Sequence, residues 1–225
     1  MAKRGPKPAG KVKLEWSPEF AYAIGLITAD GCLSKDGRHI DFTSKDIELI
    51  QLFQKSLGIE VHIGRKARGS LKKKVYFVTQ FSDVLFYRFL ESIGLTPAKS
   101  KTISSVAVPK KYFLDFLRGY FDGDGCSYSY YDPVYEKSYR FYISFASASP
   151  KYFDWLRENL REMLGVKGFI SYNRNKPPYL QLKYSKKEAV LISKAMYYSE
   201  NIPRLQRKHL KITKSLEIIR EIENT

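Results

Sequence analysis

Two short segments of the chain end in an aspartate followed by a glycine, and together they could supply a pair of carboxylates. The segments are residues 23–31 (AIGLITADG) and 117–125 (LRGYFDGDG). Each has a glycine five residues before its last Asp and a second small residue four positions after that glycine. Residues four apart share a helix face, so two such helices can approach closely through their small residues. Asp30 and Asp124 would then emerge side by side at the two C-terminal tips.

Paired carboxylates at one point match the needs of phosphodiester hydrolysis. The anionic phosphate repels an attacking hydroxide, so a divalent cation held by carboxylates is the usual solution. Hard cations such as Mg²⁺ take oxygen ligands and keep several waters. We therefore predict Asp30 and Asp124 as metal ligands, with the backbone carbonyls of Ala29 and Gly123 beside them. The alternative is two unrelated helices that both stop at Asp-Gly, an ordinary turn dipeptide, and the matched flanks argue against it.

Both segments resemble the signature of the LAGLIDADG homing endonucleases, in which two such helices form the interface between similar halves. The second copy is the closer match, whereas the first has Ala23 for the leading Leu and Thr28 for the first Asp. The resemblance implies a monomeric, site-specific enzyme that makes a double-strand break in a long pseudo-palindromic duplex and leaves 3′ overhangs. It implies Mg²⁺ as the cofactor, Mn²⁺ as a substitute, and Ca²⁺ as an ion that supports binding without cleavage.

The resemblance also implies basic and polar residues around the metal ligands. Lys99 resembles the family's catalytic basic position after the last helix of the first half, and Lys208 is its approximate partner. Ser44 and Lys45 resemble positions that often hold Gln and Lys, and Ser147 is the second-half equivalent. For each of these residues the alternative is an ordinary surface position.

The repeat extends beyond the motifs and predicts the architecture. The motif aspartates are 124 − 30 = 94 residues apart, whereas residues 40–42 match 143–145 at a spacing of 103, so the second copy has a longer, Tyr-rich hairpin loop. After each hairpin we predict an amphipathic helix, two strands and a third helix, which begins at Ser82 or at Ser185 with Glu188 in a capping box. The fold class is therefore α+β, with a basic arm (1–14) and two pseudo-symmetric αββαββα halves (15–104 and 105–225) packed through the motif helices.

Apolar and polar residues alternate in the predicted strands, so each antiparallel sheet has a core face and a polar face. Loops rich in Arg, Lys and Asn edge both sheets, and a saddle of this kind suits the DNA major groove. A merely solvated face would show the same alternation. The predicted DNA-binding residues are Ser34, Lys35, Arg38, His39, Asp41, Thr43, Ser44, Lys45, His62, Arg65, Lys66, Arg68, Lys72, Lys74, Tyr76, Gln80, Arg140, Tyr142, Ser144, Ser147, Ser171, Asn173, Arg174, Lys176, Gln181 and Lys183.

Composition agrees with a polyanionic partner such as double-stranded DNA. The 225 residues include 39 Lys and Arg against 23 Asp and Glu, a formal net charge of +16. Each phosphate neutralised by a cation releases counterions, although a basic non-binding surface or an anionic membrane would also explain the excess. No transmembrane run or signal peptide is visible, which predicts a cytoplasmic or nucleoid protein, or an organellar-matrix protein if the gene is organellar. Cys32 and Cys126 are repeat equivalents that we expect to be reduced.

Other functions stay open at this point. An RNA maturase or a DNA-binding regulator of the same fold would bind without cutting, and retention of both motif aspartates argues against it. A nuclease excised from an intein is the second alternative, and the extent of the chain favours a free-standing enzyme. With three histidines in all, no His-metal nuclease or zinc-site pattern is present. Residues 1–13 hold five basic residues and no acid, and we interpret them as a DNA-tracking arm or as a tail without a role.

Overall fold

The computed structural model describes residues 10–68, 74–173 and 179–224. The first half runs α1 (Pro18–Asp30), β1 (Gly31–Leu33), β2 (His39–Ser44), α2 (Ile47–Leu57), β3 (Ile63–Arg68), β4 (Lys74–Ser82) and α3 (Val84–Ser92). The second half runs α4 (Phe113–Asp124), β5 (Gly125–Tyr131), β6 (Tyr139–Ser147), α5 (Pro150–Leu164), β7 (Phe169–Asn173), β8 (Tyr179–Tyr184), α6 (Lys186–Met196) and α7 (Gln206–Glu223). Short 3₁₀ turns lie at Lys99–Lys101 and Lys110–Tyr112. The predicted α+β class with two similar halves is confirmed.

Within the described ranges, each half contains one antiparallel sheet of four strands, and the two sheets have the same strand order and register. The orders are β1-β2-β4-β3 and β5-β6-β8-β7. Phe42 lies opposite Thr79 in the first sheet, and Phe145 lies opposite Leu182 in the second, so both members of the pair are displaced by 103 residues. The spacing seen in the sequence therefore corresponds to equivalent positions in the two sheets.

The insertion in the second half lengthens the hairpin strands. β5 has seven residues against three in β1, and Tyr130 and Tyr131 belong to the strand itself, so the expected loop is confined to the turn that follows. The longer β5 pairs with β6 over its added residues, where Tyr128 lies opposite Tyr142 and Tyr130 lies opposite Arg140.

Of the two predicted starts of the third helices, the one at Ser82 was wrong, whereas Ser185 is the N-cap residue of α6 as predicted. Ser82 ends β4, and Asp83 caps α3 by accepting from the Phe86 backbone N–H at 2.9 Å. A carboxylate accepts several N–H groups at once, and Asp83 also accepts from Lys11 and Val12. Ser185 precedes α6 without a side-chain cap bond. Glu188 instead accepts from the Lys167 and Gly168 backbone N–H groups, so the capping box does not form.

Helix α7 has no counterpart among the described residues of the first half and was not predicted. It connects the halves, because its Arg207 forms a two-pronged ion pair with Asp46 at the start of α2, with its shortest contact at 2.6 Å. Asp46 is the N-cap residue of α2, but its side chain makes no cap hydrogen bond within that helix. The segment before α7 is held by Arg118 of α4, which is fully buried, pairs with Asp115 and donates to the carbonyls of Met196 and Pro203.

The motif helices α1 and α4 are buried along most of their length between the two sheets and the outer helices. Their apolar side chains join one continuous core with the inner faces of both sheets. Within the described ranges, no helix combines the length and apolar character needed to cross a bilayer.

Candidate active site

The motif helices meet at their small residues, as the spacing predicted. A Cβ atom built on Gly25 would overlap the Phe116 carbonyl oxygen and lie 2.7 Å from the Tyr120 nitrogen. A Cβ on Gly119 would overlap the Tyr22 carbonyl oxygen in the same way. Each glycine therefore faces the backbone of the other helix, and only a hydrogen in place of a side chain permits this approach.

The close approach brings the motif carboxylates together at the helix tips. Asp30 and Asp124 are the last residues of α1 and α4, and both are exposed. A Cβ on Gly123 would lie 3.3 Å from Asp30 Oδ2, which shows that the Asp30 carboxylate lies against the end of α4. Partial loss of hydration and the neighbouring Asp30 carboxylate raise the pKa of Asp124 to about 7. Two acids held this close favour an added cation or a proton.

One lysine lies beside each motif aspartate. Lys99 is 6% exposed and donates to the Gly31 carbonyl. Lys208 donates to the carbonyls of Phe121 and Gly125 at 2.7 Å and of Gly123 at 3.1 Å. Gly31 and Gly125 are the residues that follow the two motif aspartates, so the lysines occupy equivalent places. Burial lowers the pKa of both ammonium groups, and the neighbouring carboxylates oppose that effect.

A further acid, Asp122, was not predicted as part of the site. Its first-half equivalent is Thr28, whose hydroxyl donates to the Ile24 carbonyl within its own helix. Asp122 is 1% exposed, and its Oδ2 accepts from the Tyr22 hydroxyl and from the Leu205 backbone N–H, both at 2.7 Å. Burial raises the pKa of Asp122 to about 6. The departure of the first copy from the motif was the available signal that this position differs between the halves.

The predicted DNA-binding residues in the strands fall mainly on the polar faces of the sheets. The strand registers align Asp41 with Gln80 and Ser144 with Lys183. The polar faces also include His39, Thr43, Lys66, Tyr76, Tyr142, Ser171 and Gln181. Arg65 departs from this set, because it lies opposite Phe77 on the helix side, with its guanidinium 6.0 Å from that ring.

Several predicted residues have partners within the protein. Ser44 and Ser147 hydroxyls accept from the backbone N–H groups of Asp46 and Ser149, both at 3.1 Å, and so shape the turns after β2 and β6. Arg140 forms an ion pair with Asp132 at the tip of the long hairpin. Arg38 and His39 pair with Asp36, and the Lys45 ammonium lies 5.6 Å from the Tyr76 ring. Ser34 and Lys35 lie in the β1–β2 turn. His62 is exposed in the segment before β3.

Some predictions fall outside the described residues, namely those for Lys72, Arg174, Lys176 and residues 1–9 of the arm. The same holds for the side chains of Arg68, Lys74 and Asn173.

The long hairpin carries an aromatic ladder that sequence reasoning identified only in part. Tyr128 stacks on Tyr142 with ring centroids 4.9 Å apart, and Tyr130 stacks on the same ring at 6.3 Å. The alternation of tyrosines at 128 and 130 was the signal that both face the same side as Tyr142.

The paired aspartates are the side chains that we consider for holding a metal ion. Across the described ranges, no group of three or more His, Cys, Asp or Glu side chains is placed to bind a metal. Two carboxylates with backbone carbonyls, water and phosphate oxygens nevertheless suit a hard divalent cation, which needs few protein ligands. The carboxylate oxygens at the helix tips and the raised pKa of Asp124 fit such an ion.

The sequence model of the LAGLIDADG-like domain matches residues 17–94 and 112–209, so it covers both halves. The chain belongs to this family. The two matched ranges include both motif copies, the first copy with its altered residues among them. A search of the curated proteins found no match.

Solved structures with a similar fold include several LAGLIDADG proteins. I-GzeII in complex with its DNA target has a TM-score of 0.60 and 10% identity, with 93% of this chain and 92% of that chain covered. I-DmoI in complex with DNA and Ca has a TM-score of 0.55 and 16% identity, with 86% and 96% covered. Full-length DUF199/WhiA from Thermatoga maritima has a TM-score of 0.58 and 19% identity, and this chain covers 62% of its length. At these identities the likeness establishes the two-domain LAGLIDADG fold.

Proposed function

We propose that this LAGLIDADG protein is a site-specific DNA homing endonuclease that makes a metal-dependent double-strand break. The observation that carries the proposal is the pairing of Asp30 with Asp124, each with a lysine that donates to the carbonyl of the following glycine. The fold alone is insufficient support, since the similar structures include WhiA as well as homing endonucleases. The retained acids favour hydrolysis over a role limited to binding.

A divalent cation would be held by the Asp30 and Asp124 carboxylates, with the Ala29 and Gly123 carbonyls as further ligands. Such an ion supplies a more acidic water and neutralises phosphate charge. We propose Mg²⁺ as the physiological ion, Mn²⁺ as a substitute and Ca²⁺ as an ion that permits binding only. Structures of I-DmoI with DNA and Ca and with DNA and Mn support use of a divalent ion in this fold.

The protein's own residues would orient the duplex and stabilise charge at the scissile phosphates. Lys99 and Lys208 lie within the site and would face negative charge that develops during hydrolysis. The polar faces of the two sheets would lie along the major groove on either side of the site, with phosphate contacts from the surrounding lysines and arginines. Because one chain contains both halves, a monomer would bind both half-sites and cut both strands.

The test begins with selection of cleaved sites from a randomised or genomic-fragment DNA library, with Mg²⁺ or with EDTA. We expect Mg²⁺-dependent enrichment of one long, imperfectly palindromic site with staggered 3′ ends. Asp30→Asn and Asp124→Asn should each reduce cleavage by about a thousandfold or more, since metal binding contributes several kcal/mol to catalysis. DNA affinity in Ca²⁺ should persist in both variants.

Asp154→Asn is the matched control, because it makes the same change at an exposed position on α5. It should leave cutting unchanged. Cleavage that survives Asp124→Asn would contradict the proposed site. Tight, specific binding by the wild type without any cutting would assign the chain to the alternative class, a regulator or an RNA maturase of this fold.

A further inference from the structure

A small cleft lies beside Asp124, between the tip of α4 and the segment that carries Lys99. Its volume is about 70 Å³. Its polar lining comes from both halves of the protein and includes Lys99, Asp124, Ser147, Tyr120 and Tyr152. The cleft therefore adjoins the proposed catalytic site, and it contains two tyrosines beside the site residues Lys99 and Asp124.

Tyr152 is the unusual member of this lining. It is 1% exposed, and its hydroxyl has no hydrogen-bond partner among the described residues. The neighbouring Tyr120 hydroxyl already donates to the Ala146 carbonyl at 2.6 Å, and the two rings meet edge to face at 5.1 Å. A buried hydroxyl without a partner is unfavourable, and a polar cleft of this size holds about two waters. A water in the cleft would give the Tyr152 hydroxyl a partner.

The two tyrosines are present on one side of the pseudo-twofold axis only. The helix spacing of 94 makes Leu26 the counterpart of Tyr120, and the sheet spacing of 103 makes Leu49 the counterpart of Tyr152. Both leucines are buried and carry no hydrogen-bonding side-chain group. At these two positions the side next to Asp124 has hydroxyl groups, whereas the equivalent positions next to Asp30 have apolar side chains.

We infer that Tyr152 is a positioning residue that orders water beside Asp124 and thereby promotes cleavage of one DNA strand more than the other. The inference rests on the proposed nuclease function. Tyr152 acts through the water, which Ser147 and the Asp124 carboxylate, both of which line the cleft, can also bind. The other half has Leu49 at the position equivalent to Tyr152, so the second strand is cut independently of Tyr152.

The first experiment measures cleavage of each strand separately, with a duplex of the selected site labelled at one end or the other. Tyr152→Phe removes only the hydroxyl and should slow cutting of one strand by about fivefold, the usual effect of one hydrogen bond. The other strand should stay within about twofold of the wild type, so nicked duplex accumulates. DNA affinity in Ca²⁺ should be unchanged.

Tyr184→Phe is the matched control. Tyr184 lies on β8 of the same half, is fully buried and also has a hydroxyl without a partner among the described residues, but it does not line the cleft. Equal slowing of both strands by Tyr152→Phe, no slowing of either, or the same strand bias in Tyr184→Phe would overturn the inference.

A second experiment requires neither cleavage nor metal. A high-resolution crystal structure in EDTA should show a water within about 3.2 Å of the Tyr152 hydroxyl that also bonds Ser147 or Asp124. The same water should be lost or displaced in Tyr152→Phe. A dry cleft would overturn the inference. A wild type that cuts neither strand would defeat the proposed function instead, while the crystal structure would still decide whether Tyr152 orders water.

Discussion

The glycine contact between the motif helices makes a sharp prediction for Gly119→Ala. The added Cβ would overlap the Tyr22 carbonyl oxygen and lie 2.9 Å from the Tyr22 carbonyl carbon. These are backbone atoms of α1, so no side-chain rotation relieves the overlap. The helices must separate instead, and the separation would also displace Asp124 relative to Asp30.

The expected loss of stability follows from two opposing effects. Overpacking of a close contact costs about 1–3 kcal/mol, and more where backbone must move. Replacing glycine by alanine inside a helix contributes about 1 kcal/mol in the favourable direction. We therefore expect a net destabilisation of about 2 kcal/mol, or roughly 4–8 °C in Tm for a chain of this size. The cleavage rate should fall by more than the fraction of folded protein does, because the distance between the paired carboxylates depends on the helix separation.

Urea unfolding and a thermal scan in EDTA would measure the stability, and site cleavage at a temperature where the variant is folded would measure activity. Gly64→Ala is the control, since its Cβ would lie 3.4 Å from a Val78 side-chain methyl and 3.8 Å from the Val78 carbonyl oxygen, without overlap. If Gly119→Ala were as stable as the wild type and equally active, the close packing of α1 on α4 would not be what pairs the aspartates.

Three further predictions concern the acids, a site lysine and the hairpin. In EDTA, stability should rise as the pH falls from 8 to 5, because the pKa values of Asp122 and Asp124 are raised to about 6 and 7 and protons therefore favour the folded state. The stability that these two protonated acids contribute is complete below the pKa of an unfolded-state aspartate, near 4, and is lost as the pH rises through 6–7. Burial lowers the pKa of His209, so this residue has the opposite effect on stability. Unfolding of Asp122→Asn should show a weaker pH dependence, and an unchanged slope would contradict the assignment. Lys99→Met should slow cutting by about tenfold or more with little change in DNA affinity, whereas a parallel loss of binding would make its role one of DNA contact. Tyr130→Ala should weaken binding and shorten the nuclease-protected footprint at the second-half end only, and a footprint of wild-type length would exclude the aromatic ladder from the interface.

The elements that could be predicted from the sequence are those fixed by periodicity or by repetition. The Gly25 and Gly119 spacing predicted the helix contact because close backbone packing requires small residues at fixed intervals. The 103-residue spacing predicted equivalent sheet registers because a one-residue slip would turn every side chain to the wrong face. Lys99 was identified through the family resemblance, and the structure places it at Gly31 beside the paired acids.

Contacts between distant segments escaped prediction because local pattern carries no trace of them. Ser82 and Asp83 are both good helix caps by type, and the choice of Asp83 follows from its additional bonds to Lys11 and Val12, more than 70 residues away. Glu188 does not form the expected capping box for the same reason, since it accepts from the backbone N–H groups of Lys167 and Gly168, just before β7. In both cases tertiary hydrogen bonds decided between local alternatives of similar energy.

The placement of Lys208 shows how the second half rebuilds an equivalent site without an equivalent sequence. Lys208 follows Lys99 by 208 − 99 = 109 residues, which matches neither the 94 nor the 103 spacing, because a longer segment precedes α7. That segment is held where Asp122 accepts the Leu205 backbone N–H, three residues before Lys208. Thr28, the first-half equivalent, makes only a bond within α1, and Lys99 reaches Gly31 from a short 3₁₀ turn instead.

The contacts of Asp122 thus explain why the second motif has an acid where the first motif has Thr28. Asp122 anchors both α1, through Tyr22, and the start of α7, through Leu205. Removing it should release Lys208 while leaving Lys99 in place. The two aspartates of the second motif therefore divide their roles: Asp122 sets the position of a site lysine, and Asp124 faces Asp30 for the proposed chemistry.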